Sequence, residues 1–233
     1  VLDVDMKVAP IKSIQFSGEM ALSQYDRNTF STLDDGDNDG IAQQWQLSLR
    51  PDSMHAFGIP LGSLRLTGRY KDVENQFTDI DRTRQIEYNR RWDLPENADR
   101  QEEVRELDAQ YTPFTGLEFG GEYGSIAKGE TFASDRWQAQ TSFKRGTLPS
   151  FNYRIEQIKK DDDGRSQTSN WVRQRGDVEW NVWRFKPYVD YEAENKEEFW
   201  SDTLTTGFRF EDMAAGLEFR PWDKLALRGE YAQ

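Results

Sequence analysis

The stretch Asp34-Asp35-Gly36-Asp37-Asn38-Asp39-Gly40 sets carboxylates at alternate positions, Asp35, Asp37 and Asp39, and closes on a glycine. Calcium takes oxygen ligands of this kind from a tight turn, and glycine permits the bend. The twelfth position of that pattern is Gln46 rather than Glu, and it falls inside an alternating segment. The departure favours a solvated acidic turn, with a weak surface Ca2+ site on Asp35, Asp37 and Asp39 as the rival reading. No other cofactor is expected. The single histidine, His55, stands two residues from Ser53. A Ser–His pair works only with a third group that orients the base and with an oxyanion hole, and the sequence offers neither. Acidic neighbours such as Glu102 with Glu103, or Glu197 with Glu198, arise freely among 42 acidic residues. No residue is assigned a catalytic role, and the chain reads as a non-enzyme.

The elements that carry these residues are written in period-two alternation. Ile14, Phe16, Gly18, Met20 and Leu22 alternate with Ser13, Gln15, Ser17, Glu19 and Ala21. Trp45, Leu47 and Leu49 repeat the pattern, as do Leu64 to Tyr70, Leu117 to Tyr123, Trp137 to Phe143 and Leu225 to Tyr231. One face of each strand is therefore apolar and the other polar. Proline marks the joints at Pro10, Pro51, Pro113, Pro149, Pro187 and Pro221; lacking an N–H, it belongs at strand ends and turns. Longer polar connections are expected over 26–40, 77–101, 159–168 and 195–203, with one short helical turn over 97–107. Short turns at one end and long loops at the other are the asymmetry of outer-membrane barrels. The pattern predicts about twelve strands in six hairpins.

Composition agrees. Apolar residues make up 36% and charged residues 31%, with mean hydropathy −0.91, yet aromatics reach 13%. Disordered chains of such charge are poor in aromatics. A barrel wall reconciles the two, because one face meets lipid and the other a polar lumen. A net charge of −12 with no basic stripe argues against nucleic acid as a partner. The absence of cysteine excludes disulfides and thiolate sites. The fold class expected is all-β: an antiparallel up-and-down transmembrane β-barrel. Residues 1–233 form a single segment of it, and strand pattern at both ends leads us to expect strands beyond them.

Most aromatics fall near strand ends. Trp45, Tyr70, Tyr111, Tyr123, Trp137, Tyr153, Trp180, Trp183, Trp222 and Tyr231 are read as membrane-interface aromatics, with cross-strand pairing in a soluble sheet as the alternative. Residues of both signs occupy the opposite face: Glu19, Arg65, Arg69, Glu118, Glu122, Arg154, Glu156, Arg173, Arg175, Asp190, Glu192, Arg228 and Glu230.

Two stretches carry a family resemblance. Ala21-Leu22-Ser23-Gln24-Tyr25-Asp26-Arg27-Asn28-Thr29-Phe30-Ser31, running into 34–42, resembles loops of the SprA/Sov family, as does Arg84-Gln85-Ile86-Glu87-Tyr88-Asn89-Arg90-Arg91-Trp92-Asp93-Leu94. Members of that family form very large barrels, the outer-membrane translocons of type IX secretion. The resemblance implies a cell outer-membrane location, one sector of a barrel wall, and partners among secreted protein substrates and plug or shuttle proteins. A small porin or substrate-specific channel and a β-rich surface or adhesion protein are the alternatives.

Overall fold

The computed structural model describes residues 2–24, 39–51, 53–78, 87–95, 98–201, 203–222 and 225–232. The first strands are β1 (Leu2–Ile11), β2 (Ile14–Gln24), β3 (Asp39–Leu49), β4 (Met54–Ala56) and β5 (Ile59–Val73). A short helix, α1 (Tyr88–Trp92), precedes β6 (Glu102–Phe114), β7 (Leu117–Lys128), β8 (Phe132–Phe143) and β9 (Ser150–Asp162). Then come β10 (Gln167–Glu179), β11 (Phe185–Trp200), β12 (Thr203–Trp222) and β13 (Leu225–Ala232). All thirteen are antiparallel and belong to one up-and-down sheet in chain order, except that β4 folds back on the start of β5 alone. The twelve strands expected are those on the main path. Among the described residues β1 pairs only with β2 and β13 only with β12, so the sheet is open at both edges.

Several boundaries differ from the sequence expectation. The connection expected over 159–168 is a single 3₁₀ turn, Asp163–Arg165, between two long strands. That over 195–203 shrinks likewise, because β11 runs on to Trp200 and pairs there with Thr203. The ladder extends through these polar residues because each N–H and C=O finds a partner across the strand, which outweighs their turn propensity. Helical structure falls at α1, while 102–107 of the stretch 97–107 already belong to β6. Proline takes a place the turn expectation missed: Pro10, Pro113 and Pro221 each sit in a register shift near a strand end, between Val8 and Ile11, Tyr111 and Phe114, and Phe219 and Trp222. A bulge leaves one residue unpaired and so accommodates a residue with no N–H.

The register sorts the side chains. One ladder row reads Leu64, Tyr111, Phe119, Thr141, Tyr153, Gly176, Tyr191, Met213, apolar or aromatic at nearly every strand. A row nearer the long connections begins apolar, Met6, Gly18, Trp45, Tyr70, and then turns polar as Arg105, Ser125, Asp135, Lys159, Asn170, Glu197. In the rows towards the short turns the apolar residues lie on the middle and late strands, Leu117 opposite Phe143, Phe143 opposite Phe151, and last Phe185 opposite Phe219 and Phe219 opposite Leu227. The apolar belt thus crosses the ladder diagonally, as a level belt must when strands are tilted to it. Leu47, Leu107, Val189, Leu217 and Leu227 on this outer face are exposed.

Candidate functional site

The opposite face is ionic, and part of it is covered from within. The cover comes from the connection between β5 and β6. Its described residues 87–95 lie on the polar face, where Trp92 is only 1% exposed and packs with Val104, Ile126 and Phe132, flanked by Tyr88 and Leu94. Gly124 makes room: a Cβ there would lie 2.6 Å from the Trp92 ring. Val104, Ile126 and Phe132 occupy the parity that carries the charged residues of these strands, so an apolar seat is set into a polar wall.

Asp93 ends α1 in the left-handed region (φ 52°, ψ 41°), which a short polar side chain tolerates better than a branched one. From there its carboxylate meets three strands. Oδ2 accepts from Ser169 Oγ on β10 at 2.6 Å, Oδ1 lies 2.7 Å from Lys196 Nζ on β11, and Lys160 Nζ of β9 is 3.5 Å away. Arg91 reaches the other way, 2.6 Å from Glu106 on β6 and 3.8 Å from Glu122 on β7. Behind it Glu102 holds Lys71 and Lys128, each at 2.9 Å, with the Lys128 and Glu102 side chains 0% and 1% exposed. Lys128 also donates to the Asp99 carbonyl at 2.8 Å. Removing one member of such a buried pair leaves an uncompensated charge, at a cost of about 3–5 kcal/mol. The described segment from α1 to Asp99 is therefore held at both ends.

Beneath it the ions neutralise one another. Arg136 pairs with Glu122 at 2.8 Å and with Glu156, which also holds Arg173 at 2.8 Å. Trp171 donates from Nε1 to Glu194 at 2.6 Å, with Arg173 and Lys196 over its ring at 4.5 and 4.8 Å. Further towards the short turns the face opens: Arg154 and Arg175 stand directly opposite each other, exposed, with no ion pair among the described residues.

Every charged position named above for the inner face lies on it by register: Glu19, Arg65, Arg69, Glu118, Glu122, Arg154, Glu156, Arg173, Arg175, Asp190, Glu192, Arg228 and Glu230. Trp45, Tyr70, Tyr111, Tyr123, Trp137, Tyr153, Trp180 and Tyr231 lie on the outer one. Tyr123 faces Trp137 directly, and Trp45 lies stacked on Phe16 and across Gly18, where a Cβ would come within 2.1 Å of its ring. Trp183 occupies a turn and Trp222 a strand end. Asp35 and Asp37 lie outside the described residues; Asp39 opens β3 opposite Gln24. His55 sits on β4 opposite Pro60. Asp3, Asp5 and Glu19, all exposed, gather within 4.8 Å on the inner face instead. The residues missed from sequence are those of the inner seat, and their signal is phase: Val104, Ile126, Ile158 and Trp171 are apolar on the polar parity.

Among solved structures the chain is similar to OmpT (in-vitro folded), an outer membrane protein of Vibrio cholerae in its trimer form. The two share 10% identity at a TM-score of 0.41, over 99% of this chain and 85% of that one. No family model and no curated protein sequence matches.

Proposed function

We propose that this chain forms wall of an outer-membrane β-barrel that passes hydrophilic cargo, its bore restricted by residues 87–95, which lie on the inner face. The observation that carries the reading is the two-sided register: a diagonal apolar belt outside and an ionic face inside. Lipid satisfies no backbone polar group, so strands that cross it must pair with neighbours and turn apolar residues outward. No described helix is long and apolar enough to cross a membrane, and a crossing here is made by strands. In this reading the outer aromatics form interfacial girdles, Trp45, Tyr70, Tyr123, Trp137 and Tyr231 toward the long connections and Tyr111, Trp180, Trp183 and Trp222 toward the short turns. Single-channel recording of the full chain in planar bilayers tests it. Asp93→Asn releases the connection from Lys160 and Lys196, and we expect higher conductance than in the unaltered protein. Full insertion with no conductance in either form contradicts it.

Within this class a type IX secretion translocon is the finer reading. Support comes from residues 84–94, whose resemblance to SprA/Sov loops falls on the segment that holds α1 and Asp93. Secreted substrate trapped by photo-crosslinkers placed on α1 is the expected result. Passage of small solutes alone favours the porin reading.

A further inference from the structure

The turn between β10 and β11 presents an aromatic residue at a cost the fold does not explain. Val182 and Phe185 exchange both backbone hydrogen bonds at 2.9 Å, leaving Trp183 and Arg184 as a two-residue hairpin turn. Trp183 has φ 54°, at a position where glycine is the favoured residue. For a bulky side chain such a conformation is strained, and strain of this kind clusters where a ligand is held. Within the fold the ring meets only its turn neighbours, Phe185 at 6.0 Å and the Arg184 guanidinium, and Trp183 stays 81% exposed.

Its surroundings point to what covers it. Trp183, Arg184, Phe185, Lys186, Arg220 and Trp222 line a cavity of about 430 Å³. Phe185 stacks on Phe219 at 4.8 Å, continuing the outer apolar belt up to the cavity. Trp222, 67% exposed, stands at the end of the neighbouring strand. Lys186 is held by Glu179 at 2.6 Å, and Arg220 bonds Glu218 through Nε. The Arg184 guanidinium lies over the Trp183 ring at 5.1 Å and makes no ion pair among the described residues. Backbone joins the two arginines, the Arg220 N–H donating to the Arg184 carbonyl at 2.9 Å. Indole rings at an apolar edge with guanidinium forks beside them suit one ligand: acyl chain below, phosphodiester above.

We propose that this corner binds the headgroup of an anionic glycerophospholipid, Arg184 and Arg220 contacting its phosphate and Trp183 and Trp222 flanking its glycerol region. The site rests on the membrane reading, and it lies at the short-turn end, which in outer-membrane barrels faces the periplasm. Native mass spectrometry of the full chain, released from nanodiscs of phosphatidylglycerol or of phosphatidylcholine, tests it. The unaltered protein is expected to retain phosphatidylglycerol. Joint Arg184→Gln and Arg220→Gln substitution is expected to lower retention on the order of tenfold, from the attraction of basic residues to anionic lipid surfaces. Arg184→Lys with Arg220→Lys should fall between, since lysine keeps the charge without the fork. Competition by inorganic phosphate at millimolar level would assign the site to a free anion and overturn the proposal. So would equal retention by all variants, or equal retention of both lipids. Failure to enter nanodiscs overturns the membrane reading as well.

Discussion

The inner faces of β1–β3 and of β6–β10 are built from the same alternation yet live in different surroundings. On the first, Asp3, Asp5, Lys7 and Glu19 stand open on one side of the sheet, and β1 is exposed at every position. On the second, Glu102, Lys128, Arg136, Glu156 and Lys160 are buried, although their charge is no lower. Strand pairing is equally regular in both, so it does not set the difference. What differs is a handful of apolar residues on the polar parity and the connection they receive. The burial of these ions lies beneath residues 87–95 and 98–101, and charges that on β1–β3 are solvated become buried pairs there.

Removing that cover should make the second region resemble the first. Trp92→Ala empties the seat between Val104, Ile126 and Phe132, and buried Trp truncations cost about 3–5 kcal/mol. Faster hydrogen exchange over 98–101 and at Lys128 is the expected result, with β1–β3 unchanged. Glu102→Gln should approach it, at about 3–5 kcal/mol, because Lys71 and Lys128 lose their shared counter-charge. Thermal unfolding in detergent measures both.

The two faces of one strand offer a smaller contrast. Leu217→Arg sets a cation on the outer belt, with an expected cost of about 2–4 kcal/mol for folding into bilayers at mid-depth. Ala214→Arg, inward on the same strand, should cost far less; refolding yield into lipid vesicles distinguishes them. Smallest is Asp93→Asn. Asparagine keeps the left-handed backbone, and only the counter-charge of Lys160 and Lys196 is lost, about 1–3 kcal/mol in a partly exposed site. Proteolysis within 87–101 should rise while the strands stay intact.

Alternation made the strands and their two faces legible, because a one-residue slip would invert every side chain from Ile14 to Tyr231. It also sorted Arg154, Glu156, Arg173 and the other inner charges correctly. The inward connection was not legible. Five residues of α1 are too few to show a helical period, and Trp92 resembles any other loop aromatic until Gly124 is placed across from it. Polar residues at 159–162 and 195–200 read as loop, since register partners on a neighbouring strand leave no local mark. Three of the prolines fall at bulges for a reason of pairing that spacing alone does not reveal.

The central claim is that one face of this sheet meets lipid and the other water. The chain has no cysteine, so single cysteines along β7 can each carry a spin label. In bilayers, labels at Leu117, Phe119, Gly121 and Tyr123 should be relaxed by oxygen, which concentrates in lipid. Those at Glu118, Gly120 and Glu122 should respond to a water-soluble nickel chelate. A period-two oscillation, the two reagents out of phase, is the predicted result; equal access of the nickel chelate to both sets contradicts the account.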